Sequence, residues 1–134
     1  MKLAFVVDPL ERLKAYKDSS IAMMREAARR GHEVHALEAG EMFSREGKIR
    51  ARTRRLDVLA DDHAWYRAHD PREVVLADFD VVMMRKDPPF DQEYYYATLL
   101  LDGVVARLAA LAAAIEVQEL VAAANVPEVR AANE

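Results

Sequence analysis

The strongest constraint on how this chain can fold lies in its first 38 or so residues. Lys2–Val7 is a short apolar run that stops at Asp8-Pro9, which reads as a buried strand leading into a loop. Ser19 or Ser20 can cap a helix over roughly Ile21–Arg30. Its apolar side is Ile21, Met24, Ala27 and Ala28, and Arg29-Arg30-Gly31 supplies a cationic end and a stop. His32–Leu37, with Val34, Ala36 and Leu37 apolar, suits a second strand. Strand, loop, helix, glycine and strand in this order make a βαβ unit, with two parallel strands joined by a right-handed crossover.

The next segment is less regular. Gly47 sits in a turn between Met42–Arg45 and Lys48–Val58, which predicts a β-hairpin with Arg50, Arg52 and Arg54 alternating along its second arm. Asp61-Asp62-His63-Ala64-Trp65-Tyr66 reads as a capped helical turn that carries the single tryptophan. Leu76–Asp80 leads into Val81-Val82-Met83-Met84, an apolar run suited to a third buried strand. Arg85-Lys86-Asp87-Pro88-Pro89-Phe90-Asp91 follows as a rigid loop. Asp91 can cap a helix that begins near Gln92 and runs through Tyr95, Tyr96, Leu99 and Leu100. From Gly103 to Glu134, 11 of 32 residues are alanine, and the composition changes there. Leu101, Val104, Leu108, Leu111 and Ile115 recur at spacings of 3, 4, 3 and 4, an a/d-type seam. Helix is expected to about Ala124, although periodicity leaves a short strand over 115–124 open, and Pro127 ends whatever helix reaches it.

At 134 residues this is expected to be a single domain, with enough chain to bury a core. The absence of cysteine excludes disulfides, thiolate nucleophiles and thiolate zinc sites. A net charge of −4 gives no reason to expect a nucleic-acid partner. The first apolar run is too short for a signal peptide, and no apolar stretch reaches the roughly 18 residues of a membrane span. The expectation is a soluble, cytoplasmic domain.

In an open parallel sheet, ligands gather at the C-terminal ends of the strands. Three loops leave strands at that edge: one with Asp8, Lys17, Asp18 and Ser19, one with Glu38 and Glu41, and one with Arg85, Lys86 and Asp87. Lys17 and Arg85 can hold carboxylates, Arg85 through a bidentate fork. The N–H groups at the helix start near Ser19 can receive another anionic group. Together they suit a small, multiply charged acid. The same spacing equally allows Asp18 and Asp87 to pair with Lys17 and Arg85 and merely tie the loops together. Pro88-Pro89 fixes φ twice and stiffens the loop that carries Arg85–Asp87. His32, His35, His63 and His69 show no metal spacing and are expected at surfaces or edges. Asp61, Asp62 and His63 read better as a helix cap than as a cation site. The arginines at 50, 52, 54 and 55 read as one charged face of a solvated hairpin. The four glycines, at 31, 40, 47 and 103, form no phosphate-binding loop.

Val6-Val7-Asp8-Pro9, Lys17-Asp18-Ser19-Ser20 with Ala22-Met23, Arg29-Arg30-Gly31-His32-Glu33 and, above all, Met84-Arg85-Lys86-Asp87-Pro88-Pro89-Phe90-Asp91 with Tyr96-Ala97-Thr98 resemble the N-terminal region of prokaryotic glutathione synthetases. The resemblance runs in register from residue 1 to about 102. It implies an α/β fold of pre-ATP-grasp type, a small parallel Rossmann-like sheet flanked by helices, with the β-hairpin as an insertion and a long C-terminal helix. It also implies a parent enzyme that joins γ-glutamylcysteine to glycine with ATP and Mg²⁺ by way of an acyl phosphate. Within that family the N-terminal domain walls the dipeptide site and contributes to subunit contacts. Lys17, Asp18, Ser19 and Arg85 are then the residues expected to face the dipeptide, with Asp87, Pro88 and Pro89 shaping the loop.

Residues 103–134 leave the family's pattern. Asn125-x-Pro127 and Arg130–Glu134 resemble a later family motif, but Ala131 replaces an acid and about a dozen extra residues intervene. Such a confined change reads as a rebuilt or engineered segment, with natural divergence or a shortened piece as the alternatives. ATP-grasp chemistry draws its lysines, metal ligands and lid from domains that would follow residue 134. The expectation is therefore no cofactor in this chain, no catalytic or metal-ligating residue, no activity alone, and weak binding of γ-glutamylcysteine or glutathione. The seam Leu101, Val104, Leu108, Leu111 and Ile115 suggests a homodimer or higher oligomer, or else packing against the chain's own sheet.

Overall fold

In a computed structural model of the chain, residues 1–87, 91–105, 120 and 122 are described. The βαβ unit forms, with its helix starting two residues earlier than expected and capped by Asp18 rather than by Ser19 or Ser20. Strand β1 (Lys2–Val6) leads through a loop and a short 3-10 turn at Leu10–Arg12 to helix α1 (Ser19–Arg29), which returns to β2 (Glu33–Leu37). Asp18 caps α1, accepting hydrogen bonds from the backbone N–H groups of Ser20 at 2.7 Å and Ile21 at 3.2 Å. Gly31, at φ +81°, lets the chain leave the helix in the left-handed conformation that any side chain would strain. The hairpin is β3 (Met42–Arg45) and β4 (Lys48–Val58), turning through Glu46 and Gly47, both at positive φ. Then come β5 (Tyr66–Ala68), β6 (Arg72–Val75), β7 (Val81–Met84) and α2 (Gln92–Val105). Asp91 caps α2 through a 2.9 Å bond from the Tyr94 N–H.

The sheet has seven strands and is mixed, which corrects the expectation of a small parallel one. β1 is parallel to β2 and to β7, and these three strands are the parallel part. The hairpin is no appendage. β4 runs antiparallel to β2 through Arg54–Leu56, and its eleven residues also pair β3, β5 and β6. Strand order is β3-β4-β2-β1-β7, with β5 and β6 added on β4. Asp61–Tyr66 is not a helical turn. Asp61 accepts a bond from the His63 N–H at 2.8 Å, a local Asx turn, and Tyr66 already belongs to β5. Arg25 of α1 clamps this loop by donating to Asp62 Oδ1 at 3.0 Å and to the Leu59, Ala60 and Asp61 carbonyls.

Each sheet face has its own core. On the α1 side, Leu3, Phe5, Val34 and Leu56 pack with Ile21, Met23, Met24 and Trp65. On the α2 side, Ala4, Val6, Leu37 and Ala51 pack with Leu76, Phe79 and Ala97. The alternation of these residues along β1 and β2 is the period-2 burial of a sheet covered on both faces. Leu101 is half-buried against the α2-side core, so this member of the seam packs on its own domain. Leu108, Leu111 and Ile115, and the side chain of Val104, lie outside the described residues, as do Pro88 and Pro89. Leu120 and Ala122 are helical, and Leu120 is fully buried in the α1-side core. No helix among the described residues is long and apolar enough to cross a membrane.

Candidate functional site

The parallel strands β1, β2 and β7 end at one edge, and the three loops that leave them meet there. Two backbone bonds extend the ladders past the strands: Val7 N–H to the Leu37 carbonyl at 2.9 Å and Arg85 N–H to the Val6 carbonyl at 2.8 Å. Asp8 and Arg85 are thereby fixed at the tips of adjacent strands.

Arg85 is exposed yet ordered by hydroxyls. Its Nε donates to Ser20 Oγ at 3.1 Å and its Nη2 to Ser19 Oγ at 2.7 Å. Two of the five N–H donors of the guanidinium are used in this way, and the rest have no partner among the described residues. Ser19 and Ser20 open α1, so the guanidinium stands at the helix end whose partial charge is already positive. Lys17, which forms no ion pair among the described residues, adds a third positive centre. A cleft of about 470 Å³ lies beside this corner, lined by Arg12, Lys14, Lys17, Asp18, Ser19 and Asp87 together with Leu13.

The alternative in which carboxylates merely neutralise these cations takes a different form here. Asp18 spends its carboxylate on the helix cap, pairing with neither Lys17 nor Arg85. Its place as a ligand-facing group is therefore secondary to its place as a cap. Asp8 ties the third loop down by accepting the Asp87 N–H at 3.0 Å, with the mostly buried Lys86 ammonium 3.9 Å from its other oxygen. The sequence did not single out Arg12 or Lys14, and Ser20, expected there as a cap, instead accepts from Arg85. The Ser19-Ser20 repeat directly after Asp18 is the signal that a second hydroxyl stands at the helix start.

The middle loop closes on itself. Glu38 and Glu41 form a reciprocal capping box around the turn Ala39–Glu41, with the Glu38 N–H 2.8 Å from Glu41 Oε2. Burial raises the pKa of Glu38, and the neighbouring Glu41 and Glu11 carboxylates add to the rise. It borders a smaller cleft, of about 290 Å³, with Asp8, Glu11 and Arg54 on its polar side.

Several charges of the hairpin pair across strands. Arg45 and Arg50 share Glu73 at 2.9 and 3.4 Å, and Arg54 lies 3.8 Å from Glu41. The hairpin arginines are thus partly engaged across strands rather than simply solvated. His35 is buried, at 8% exposure, not at an edge. No group of three or more metal-ligating side chains occurs among the described residues.

Fold and site together define an α/β domain with a helix on each face of a mixed sheet and a cationic corner where its parallel strands end. The family model of the prokaryotic glutathione synthetase N-terminal domain matches residues 1–116, and the chain belongs to that family. The match passes residue 102 and enters the alanine-rich stretch. The glutathione synthetase of Yersinia pestis is 47% identical over 102 residues, which are 76% of this chain and 32% of that protein. Those of Salmonella typhimurium and Ralstonia nicotianae are 46% and 45% identical over the same number of residues and the same shares. The chain spans about a third of the length of the curated relatives it matches.

Proposed function

We propose that this chain forms one wall of the γ-glutamylcysteine site of a glutathione synthetase, the cytoplasmic ligase that joins this dipeptide to glycine, within a pre-ATP-grasp-type domain. The observation that carries the reading is Arg85 held by Ser19 and Ser20 at the α1 N-terminus, beside Lys17. Both carboxylates of the dipeptide find cations there, and Arg85 retains donors for a bidentate contact. Lys17 and Arg85 are the anchors and Ser19 orients Arg85. Asp18 acts as a cap, and Asp87 shapes the loop together with Pro88 and Pro89. ATP and Mg²⁺ serve the parent reaction. The described residues offer neither a glycine-rich phosphate loop nor a cluster of metal ligands, so no step through these cofactors is assigned to this chain. Alone it binds the dipeptide weakly and turns over no ATP. Titration calorimetry with γ-glutamylcysteine tests this, with Arg85→Ala and Lys17→Ala each expected to weaken binding at least tenfold. Unchanged affinity in both variants, or ADP release by the pure chain with dipeptide, glycine and Mg²⁺, overturns it.

Self-association is a second reading, favoured by the exposed side chains of Tyr95, Tyr96 and Leu99 on α2. Light scattering on the chain and on Leu108→Asp with Leu111→Asp decides it. A monomer in both cases ends the idea.

A further inference from the structure

The ladder between β1 and β7 runs one bond further than the backbone of β1 does. In a parallel pair the bonds are evenly spaced, and a strand accepts from the same neighbour at every second residue. Here the Val6 carbonyl accepts the Arg85 N–H at 2.8 Å. The same spacing calls for the carbonyl of residue 8 to accept the N–H of residue 87. The chain turns away first, because Pro9, at φ −48°, opens the 3-10 turn Leu10–Arg12. The Asp87 N–H is taken instead by the Asp8 side chain, with Oδ2 at 3.0 Å. A carboxylate offers two oxygens as acceptors, and one of them stands in for the backbone acceptor that β1 no longer supplies.

This bond pins the loop on the far side of Arg85. The N–H groups of residues 85 and 87 are both held by β1, and between them the Arg85 side chain is held by Ser19 and Ser20. Among the described residues, no other hydrogen bond anchors the backbone of Lys86 or Asp87. The second oxygen of Asp8 lies 3.9 Å from the Lys86 ammonium, which is mostly buried. A buried ammonium is costly without an opposite charge. Asp8 therefore fixes the loop backbone and offsets the cation beside Arg85, and the guanidinium is the charge this loop leaves for a ligand.

We propose that Asp8 is a positioning residue of the strand-end site: by carrying the β1–β7 ladder past Pro9, it sets the stance of Arg85 toward the dipeptide. Its effect on binding passes through Arg85, since its own oxygens are committed to Asp87 and Lys86. The ligand is that of the reading above, on which this rests, whereas the ladder geometry stands without it.

The experiment separates the two. In the ligand-free chain, hydrogen exchange of the Arg85 Nε–H, followed by NMR, reports how firmly Ser20 holds it. Asp8→Ala should speed this exchange at least about fivefold, the factor that one net hydrogen bond supplies. Asp8→Asn, which keeps an acceptor for the Asp87 N–H, should recover most of the protection. Asp8→Glu keeps the charge but displaces the acceptor by one methylene, and should lose protection as alanine does. It carries the comparison if the alanine variant does not fold. The Arg25 Nε–H, which donates to the Leu59 carbonyl at 3.1 Å, should not respond to any of these changes. Titrated with γ-glutamylcysteine, Asp8→Ala should bind about fivefold more weakly and should add little to the loss in an Arg85→Ala background. Unaltered Arg85 exchange in Asp8→Ala and Asp8→Glu overturns the proposal. So does an equal loss in the Asn and Ala variants, or a full further loss of affinity in the Arg85→Ala background. If the parent chain does not bind γ-glutamylcysteine, the dipeptide reading fails, and the exchange rates alone decide the role of Asp8.

Discussion

Asp18 separates a structural from a ligand-facing role most cleanly, and its removal has a magnitude that follows from its contacts. The carboxylate accepts the N–H groups of Ser20 and Ile21, two of the four donors that an α-helix leaves unpaired at its start. Both residues are buried, at 5% and 0% exposure, so water replaces the lost acceptor poorly. Truncating an Asp cap to Ala costs about 1 kcal/mol, and about 2 at the upper end. The buried donors place Asp18→Ala toward the upper end. Asp18→Asn keeps an acceptor in the same place and gives up only the attraction of the charge to the helix end, about 0.3–1 kcal/mol. Equilibrium urea unfolding resolves the two, since a slope of about 1–3 kcal/mol per molar turns about 1.5 kcal/mol into a midpoint shift of about 0.5–1.5 M. Asp18→Asn should also leave dipeptide affinity nearly intact, because Ser19 and Ser20 still hold Arg85. The cap argument fails if Asp18→Ala moves the midpoint by less than about 0.1 M, or if the Asn and Ala variants are equally destabilised.

Four further outcomes rest on the same kind of contact. Gly31→Ala should lower stability by about 1–2 kcal/mol in thermal unfolding. Nothing lies within 4 Å of the added carbon, so the whole effect is the strain of φ +81°, and Gly31→Asn should lose less. His35 has its pKa lowered by burial, against the pull of Glu33. The unfolded chain then binds more protons, and stability should fall as pH drops below the ordinary histidine value near 6.5; His35→Gln should flatten that slope in a pH series of urea midpoints. Hydrogen bonds from Arg29 and Arg30 hold Glu26 down at about 2. Its contribution is complete above the ordinary 4.5 and lost as pH falls from there toward 2, so Glu26→Gln and the parent chain should converge in acid. Leu120→Ala should cost about 2–5 kcal/mol, because the side chain is fully buried among Leu3, Phe5 and Ile21. Ala122→Ser, at an exposed position, should change little.

How far the fold was legible depends on whether a residue's partner lies nearby in sequence. β1, α1, β2 and β7 were readable because apolar runs and a glycine stop are local signals, although the cap falls on Asp18 rather than on Ser19 or Ser20, and the helix starts at Ser19. The β3–β4 hairpin was readable from Gly47 for the same reason. What could not be read is where that hairpin docks. Arg54, Arg55 and Leu56 alternate like any half-exposed strand, and nothing in the pattern says that they pair with Ala36, His35 and Val34 and so turn a parallel sheet into a mixed one. β5 and β6 escaped for a related reason: three and four residues are too few for a period to show, and Asp61 imitates a helix cap because an Asx turn uses the same acceptor.

The docking of β4 also explains why the two ends of the sheet carry different chemistry. At the strand-end edge, a parallel β1 flanked by β2 and β7 brings Asp8, Glu38 and Arg85 out together, and the α1 N-terminus adds its positive field. The family's strings report that corner. At the other edge, β4 enters antiparallel and sets Arg55 against His35 and Thr53 against Arg72. These residues lie 20 and 19 positions apart in sequence, joined only by the register of a strand whose partner the sequence does not name. Sequence pattern therefore reaches the corner built on βαβ logic and does not reach the side chains that cross-strand pairing brings together.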